Sequence, residues 1–239
     1  MAAPPRPRLR RRPGPRSRSR AALGTDAAIF QAAAAAFSAK GFDGIGVDEI
    51  AASARVNKAM IYYHFTDKLQ LYREVVRDML RATSARVTEI AAAPDPAPTR
   101  LDRFVAAFVE QGDSRPWFPT LMLREMAEGG PRLDPDTLAL IRSVFLAFAR
   151  IVGDGHAAGV FRPVNPVLAY MSTVGPLLLN AARERAGARP GRSQLPMFVE
   201  VSHADLAAHM QQVARGMLLL NSMKNPGSKE AKTSETMNP

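Results

Sequence analysis

Cysteine is missing altogether from this 239-residue chain. Its absence excludes disulfides, thiol nucleophiles and thiolate metal centres. Histidine is scarce: His64, His156, His203 and His209 are the whole supply, and none pairs with a suitable nucleophile. His203 and His209, six residues apart, do not share a helical face well enough to ligate a metal. A phosphate-binding glycine loop, a dinucleotide fingerprint and a nucleophile elbow are all lacking. No catalytic residue, metal ligand or cofactor is therefore assigned, and a helical small-molecule-binding enzyme is a remote alternative. Long hydrophobic runs are absent too, so no segment is expected to span a bilayer. The opening Met-Ala-Ala-Pro-Pro-Arg has no apolar stretch of the secretory kind. These absences fit a bacterial cytoplasmic protein with no membrane partner.

What is present begins with apolar content, 46%, enough to bury a core in a chain of this length. Net charge is +10 and unevenly placed: residues 1–20 hold eight arginines and no acid, which leaves about +2 for the rest. Five prolines and a glycine in that stretch oppose regular structure, so residues 1–22 are expected to form a disordered arm. Such an arm either reaches phosphates and the minor groove or is an idle solvated extension.

Beyond the arm, helical signals dominate and strand alternation does not persist. An alanine-rich helix runs through Phe37 and stops at Gly41. Residues 67–92 read as a long helix halted by Pro94-Asp-Pro-Ala-Pro98. Thr99 and Asp102 have capping-box spacing, and a further helix is expected over Trp117–Glu128. Asp134-Pro135 and Asn165-Pro166 each place a cap before a proline suited to a first turn. Ser202 and Asp205 open a last helix after a loop at about 187–201, and the polar tail 221–239 is expected to be disordered. The fold class is all-α, with a three-helix head at 23–83 and a larger helical body at 84–220.

Residues 46–65 carry the sharpest signal. Val47, Ile50 and Ala51 make an apolar stripe on one short helix, Val56 fills a turn, and Asn57 is a good N-cap for a second. In that second helix Ile61, Tyr62 and Phe65 repeat a buried pattern. Lys58, Ala59, Met60, Tyr63 and His64 are left pointing outward, as a helix that reads a DNA groove requires. Met60 and Tyr63 offer apolar contact to thymine methyls, and Lys58 can reach guanine or phosphate. Asp67 with Gln70 then caps the long helix, whose start places Lys68 near amides that favour a phosphate.

The run Phe37-Ser-Ala-Lys-Gly-Phe42, then Val47-Asp-Glu-Ile-Ala51, then Tyr62-Tyr-His-Phe65 with Asp67-Lys68, resembles the tetracycline-repressor (TetR) family of bacterial transcription regulators. The likeness covers about Leu23 to Thr83, roughly a quarter of the chain. It implies a homodimeric DNA-binding regulator, most simply a ligand-responsive repressor of a pseudo-palindromic double-stranded operator. An activator or dual regulator is the alternative, and a nucleoid-type basic protein using the arm alone is a third reading. Tyr62, His64 and Lys68 resemble the family's backbone-clamping positions. The candidate DNA-contacting set is thus Val47, Asn57, Lys58, Ala59, Met60, Tyr62, Tyr63, His64 and Lys68. Two departures stand out: Arg55 occupies the turn where the family commonly has glycine, and Gly46 stands where Ser or Thr is usual. Arginine enters a left-handed turn only with strain.

In the body, aromatics and thioethers concentrate at Phe104, Phe108, Trp117, Met122, Met126, Phe145, Phe148, Tyr170 and Met171. Residue by residue these read as ordinary core. Together they can also line a site for an apolar or aromatic effector. Arg124-Glu125 reads as a surface charge pair in preference to a buried one. Two wide apolar stripes complete the reading. One carries Val167, Leu168, Met171, Val174, Leu177, Leu178 and Ala181, the other Leu206, Met210, Val213, Met217 and Leu220, with Met171, Val174, Leu178, Ala181, Leu206, Met210, Val213 and Met217 as the seam candidates. The resemblance places a four-helix dimer seam there, with internal packing explaining part of each stripe. It also implies that effector binding moves the long helix from Asp67 and resets the spacing of two heads.

Overall fold

The computed structural model describes residues 15–187 and 201–220, and among these the chain is helical. The elements are α1 (Pro15–Lys40), α2 (Val47–Ala54), α3 (Lys58–Phe65), α4 (Lys68–Ala92), α5 (Ala97–Ser114), α6 (Phe118–Ala127), α7 (Pro135–Ala157), α8 (Pro166–Gly187) and α9 (His203–Leu218). An isolated antiparallel bridge joins Phe161 to Leu219, and no strand forms among the described residues. Side-chain caps set many of the starts. Asn57 accepts from the Ala59 amide, Asp67 from Gln70, Asp134 from Thr137, Asn165 from Val167, and Ser202 from Asp205.

Two starts differ from expectation. Helix α5 begins at Ala97, not at a Thr99 cap, with Pro98 inside its first turn. A first-turn proline gives up only an amide that has no intrahelical partner. Helix α1 begins at Pro15, inside the stretch expected to be an unstructured arm. Pro15 is tolerated at that position for the same reason, and no proline follows it until Pro94. Residues 1–14, most of the 187–201 loop and the 221–239 tail lie outside the described residues.

Two apolar cores form, and α4 belongs to both. Leu71, Tyr72, Val75, Val76, Met79 and Leu80 pack into a head core with Ile29, Phe37, Ile50 and Ile61. Farther along, Val87, Ile90 and Ala91 join a body core with Phe104, Phe148, Ile151 and Leu218. At about 1.5 Å per residue, the 25 residues of α4 make a rod of about 37 Å. The head core also takes Trp117, Phe118, Leu121 and Met122 from α6 and its start. Head and body are therefore fused through shared helices.

Polar clamps hold α4 in place. The buried guanidinium of Arg77 donates to Asp134 at 2.9 Å and to Glu74 at 2.9 Å. Asp134 simultaneously caps α7, so one carboxylate fixes the start of α7 against α4. Burial opposes charge on Asp134, but bonds from Thr137 and the Arg77 and Arg73 charges hold its carboxyl below the ordinary value. At the other end, buried Arg100 donates to the Ala91 carbonyl at 2.7 Å and to Asp154 at 2.8 Å. That bond satisfies one of the carbonyls that a helix end leaves free.

Candidate nucleic-acid interface and effector cavity

Helix α2 ends in a left-handed residue, Arg55, with φ 56° and ψ 40°. The Arg55 amide bonds to Ala52 O and the Val56 amide to Ala51 O, which closes the turn. The expected strain at this non-glycine is thus present, and the turn forms despite it. Arg55 is exposed and adds a cation beside the reading helix, a contribution that attention to its backbone alone had hidden. Lys58 and Asp48 pair at 2.8 Å across the turn, and that bond raises the ammonium's affinity for its proton.

The faces of α3 are not all as the periodicity implied. Ile61 is fully buried and Tyr63 is 79% exposed, as expected for core and reading face. Tyr62, placed in the buried pattern, is 45% exposed instead. An eight-residue helix needs few anchors, and Ile61 with half-buried Phe65 supplies them. Met60, expected to point outward, is half-buried against the head core. Val47 is half-buried there as well. His64 departs furthest. Its ring turns inward and its Nδ1 meets the Asp26 carboxylate of α1, so it braces the reading helix in place of facing solvent. The edge of the Tyr63 ring stands against it at 5.0 Å. Asn57 is exposed, but its carboxamide oxygen is committed to capping. Ala59 is exposed. Lys68 is half-buried, with its ammonium 4.3 Å above the Phe42 ring.

The body holds an open cavity of about 940 Å³ between α4, α5, α6, α7, α8 and the start of α9. Of the nine residues proposed from sequence, Phe108, Met122, Met126, Tyr170 and Met171 line it. Phe104 and Phe148 do not, because they fill the body core, their rings 5.2 Å apart. Phe145 packs behind the wall, edge-on to Tyr170 at 5.5 Å. Trp117 belongs to the head core and meets Phe30 at 6.1 Å. Burial pushes the Tyr170 phenol up to about 12, so it stays neutral in the wall. Sequence reasoning missed the aliphatic and small wall residues, such as Leu80, Gly112, Leu133 and Gly175, whose spacing looks like any core.

It also misjudged Glu125, which is neither exposed nor paired with exposed Arg124. Glu125 is 1% exposed, lines the cavity, accepts from the Tyr72 hydroxyl at 2.7 Å and pairs with Arg132 at 3.1 Å. Burial, then the bond to Glu125, pushes the Tyr72 phenol well above its ordinary range. Among the described residues no cluster of His, Asp and Glu is placed to hold a metal ion. No described helix is long and apolar enough to cross a membrane.

The two stripes on α8 and α9 divide between inside and outside. Val174 and Met210, candidates for a seam, are buried within the chain. Leu178, Ala181 and Leu206 are half-buried and line the cavity, and Met217 packs on the body core. Met171, Val213, Leu168 and Leu220 of the two stripes stay exposed, joined by Leu179.

A family model described as bacterial regulatory proteins of the tetR family matches residues 29–75. The HTH-type transcriptional regulator RutR of Escherichia coli O157:H7 is 29% identical over 150 residues, which is 62% of this chain and 70% of that protein. The negative transcriptional regulator IcaR of the biofilm operon in Staphylococcus aureus is 43% identical over 49 residues, 20% of this chain and 26% of its own. The fold is shared with the ketosteroid transcriptional regulator KstR2 of Mycobacterium tuberculosis. There the TM-score is 0.67 at 19% identity, over 82% of this chain and 95% of that one. The head of this chain, residues 29–75, is thus that of the tetR family of bacterial regulatory proteins, and the all-α body shares its fold with KstR2.

Proposed function

We propose that the protein is a homodimeric, ligand-responsive repressor, acting in the bacterial cytoplasm on a pseudo-palindromic operator. Lys58, Ala59, Tyr62 and Tyr63 present the exposed side of α3 to base edges and flanking phosphates. Lys68 and Arg55 supply phosphate contacts at either side, while His64, Met60, Val47 and Asn57 hold the helix in position. The exposed row Leu168, Met171 and Leu179 on α8, with Val213 and Leu220 at α9, forms the dimer seam. The 940 Å³ cavity takes an apolar or aromatic effector.

The observation that carries this reading is the sharing of α4 and α6. Met79, Leu80 and Met122 belong to the head core and also line the cavity. A molecule filling the cavity therefore touches the side chains that support the head. An effector with different affinity for two head positions shifts the equilibrium between them. Footprinting of the purified protein on DNA upstream of its own coding region tests the proposal. Protection of two half-sites about one helical turn apart, 34–36 Å, is expected. Uniform, sequence-independent protection would instead favour a general DNA-coating role.

A further inference from the structure

Two buried polar atoms in the cavity's lining residues have no hydrogen-bond partner: Oε2 of Glu125 and Oγ1 of Thr83. Buried polar groups rarely stay unpaired without a reason, and a ligand-binding site is one such reason. The charges nearby are asymmetric. No lysine or arginine lines the cavity among the described residues, whereas Glu125 and Glu184 do. Arg132, which balances Glu125, is already shared with Glu128 and Asp43, so three carboxylates face one guanidinium. The lining His203 already stands 3.6 Å from Glu184, so a negatively charged ligand finds no lysine or arginine and two carboxylates there, while a hydroxyl or amino group finds a ready acceptor.

Glu125 also has two ties to the head. Its Oε1 receives the Tyr72 hydroxyl, and the Tyr72 ring lies 5.0 Å from Phe37 and 5.2 Å from Phe42. Its partner Arg132 donates to Asp43 at 2.8 Å and lies 4.9 Å over the Phe42 ring. Phe42 and Asp43 sit in the link between α1 and α2, immediately ahead of the reading motif. We infer that Glu125 selects effectors that are mainly apolar, carry a hydrogen-bond donor and lack negative charge, and that Arg132 and Tyr72 pass its engagement to the Phe42–Asp43 link. A donor on the unpartnered Oε2 draws charge away from Oε1, which Arg132 and Tyr72 share, and loosens their grip on that link. This rests on the cavity being the effector site.

Full-length protein and three probes test it. N-phenyl-1-naphthylamine, which brightens in apolar surroundings, reports occupancy, and 1-decanol or decanoate displaces it. Decanol should displace it at about tenfold lower concentration than decanoate, since a bond to a carboxylate is a strong one. In Glu125→Gln, checked by circular dichroism, that ratio should fall towards one. Saturating decanol should speed amide exchange across residues 41–66 by about fivefold or more in the wild type. In Asp43→Asn, a surface change, exchange should start higher and rise less than twofold. Equal displacement by decanol and decanoate, or a head whose exchange ignores decanol, overturns the inference while leaving the cavity reading intact. Failure of the naphthylamine to bind at all removes the cavity reading, and this inference with it.

Discussion

Asp134 caps α7 and holds Arg77 of α4, and two substitutions separate those roles. Asparagine keeps a good cap acceptor but removes the charge. Arg77, nearly buried, then retains only Glu74 at 2.9 Å as a carboxylate partner. Complete loss of partners for a buried charge costs about 3–5 kcal/mol. With Glu74 still present, Asp134→Asn should cost about 1–2 kcal/mol. Asp134→Ala loses the cap as well and should cost about 1 kcal/mol more. In a chain of this size each kcal/mol lowers Tm by about 2–4 °C.

The acid dependence is specific. Because the folded carboxyl lies below the ordinary aspartate value of 3.8, its stabilisation is complete above that value and is lost as pH falls through the folded one. Urea melts of wild type and Asp134→Asn, followed by circular dichroism, should differ at pH 7 and converge in acid below the aspartate range. Coincident melts at pH 7, or a gap that persists undiminished in strong acid, would refute the assignment of the charge to this junction.

Other outcomes follow from the same geometry. Tyr63→Ala should weaken operator binding by about 1–3 kcal/mol while leaving the thermal melt unchanged, because the ring is almost wholly exposed; equal operator affinity of mutant and wild type in a DNA titration would remove Tyr63 from the interface. Leu179→Glu adds charge to an exposed apolar row, so sedimentation should show a folded monomer where the wild type is a dimer. A dimer of unchanged strength would move the seam elsewhere. Deleting residues 1–14, which hold five arginines, should flatten the salt dependence of binding by about 0.9 per phosphate lost, for operator and random DNA alike. Identical slopes mean that this stretch does not lie on DNA.

The helices, their caps and the reading motif were legible because they depend on local chemistry. Asn57, Asp67, Asp134 and Ser202 bond within a few residues of themselves, and Ile61 and Tyr63 lie on opposite sides of one short helix. Long-range geometry hid the rest. Nothing near His64 in sequence announces Asp26, and nothing near Glu125 announces Tyr72, 53 residues away. Trp117 and Phe148 have the composition of a ligand site, yet packing sent one to the head core and the other to the body core. On α8 the apolar residues cover most of the circumference. Periodicity alone did not separate Val174, turned inward, from Leu179, turned outward.

The sharing of core residues bears on how such regulators can be recombined. Trp117, Phe118, Leu121 and Met122 complete the head from beyond residue 83. A graft that moves only the first 83 residues onto another body would therefore leave the head core without these four side chains, and Phe30 without the Trp117 ring it meets. Under the proposed reading role of α3, operator preference is more safely transplanted by exchanging its outward residues alone, Lys58, Ala59, Tyr62 and Tyr63. Those residues are exposed, and none of them belongs to the shared core.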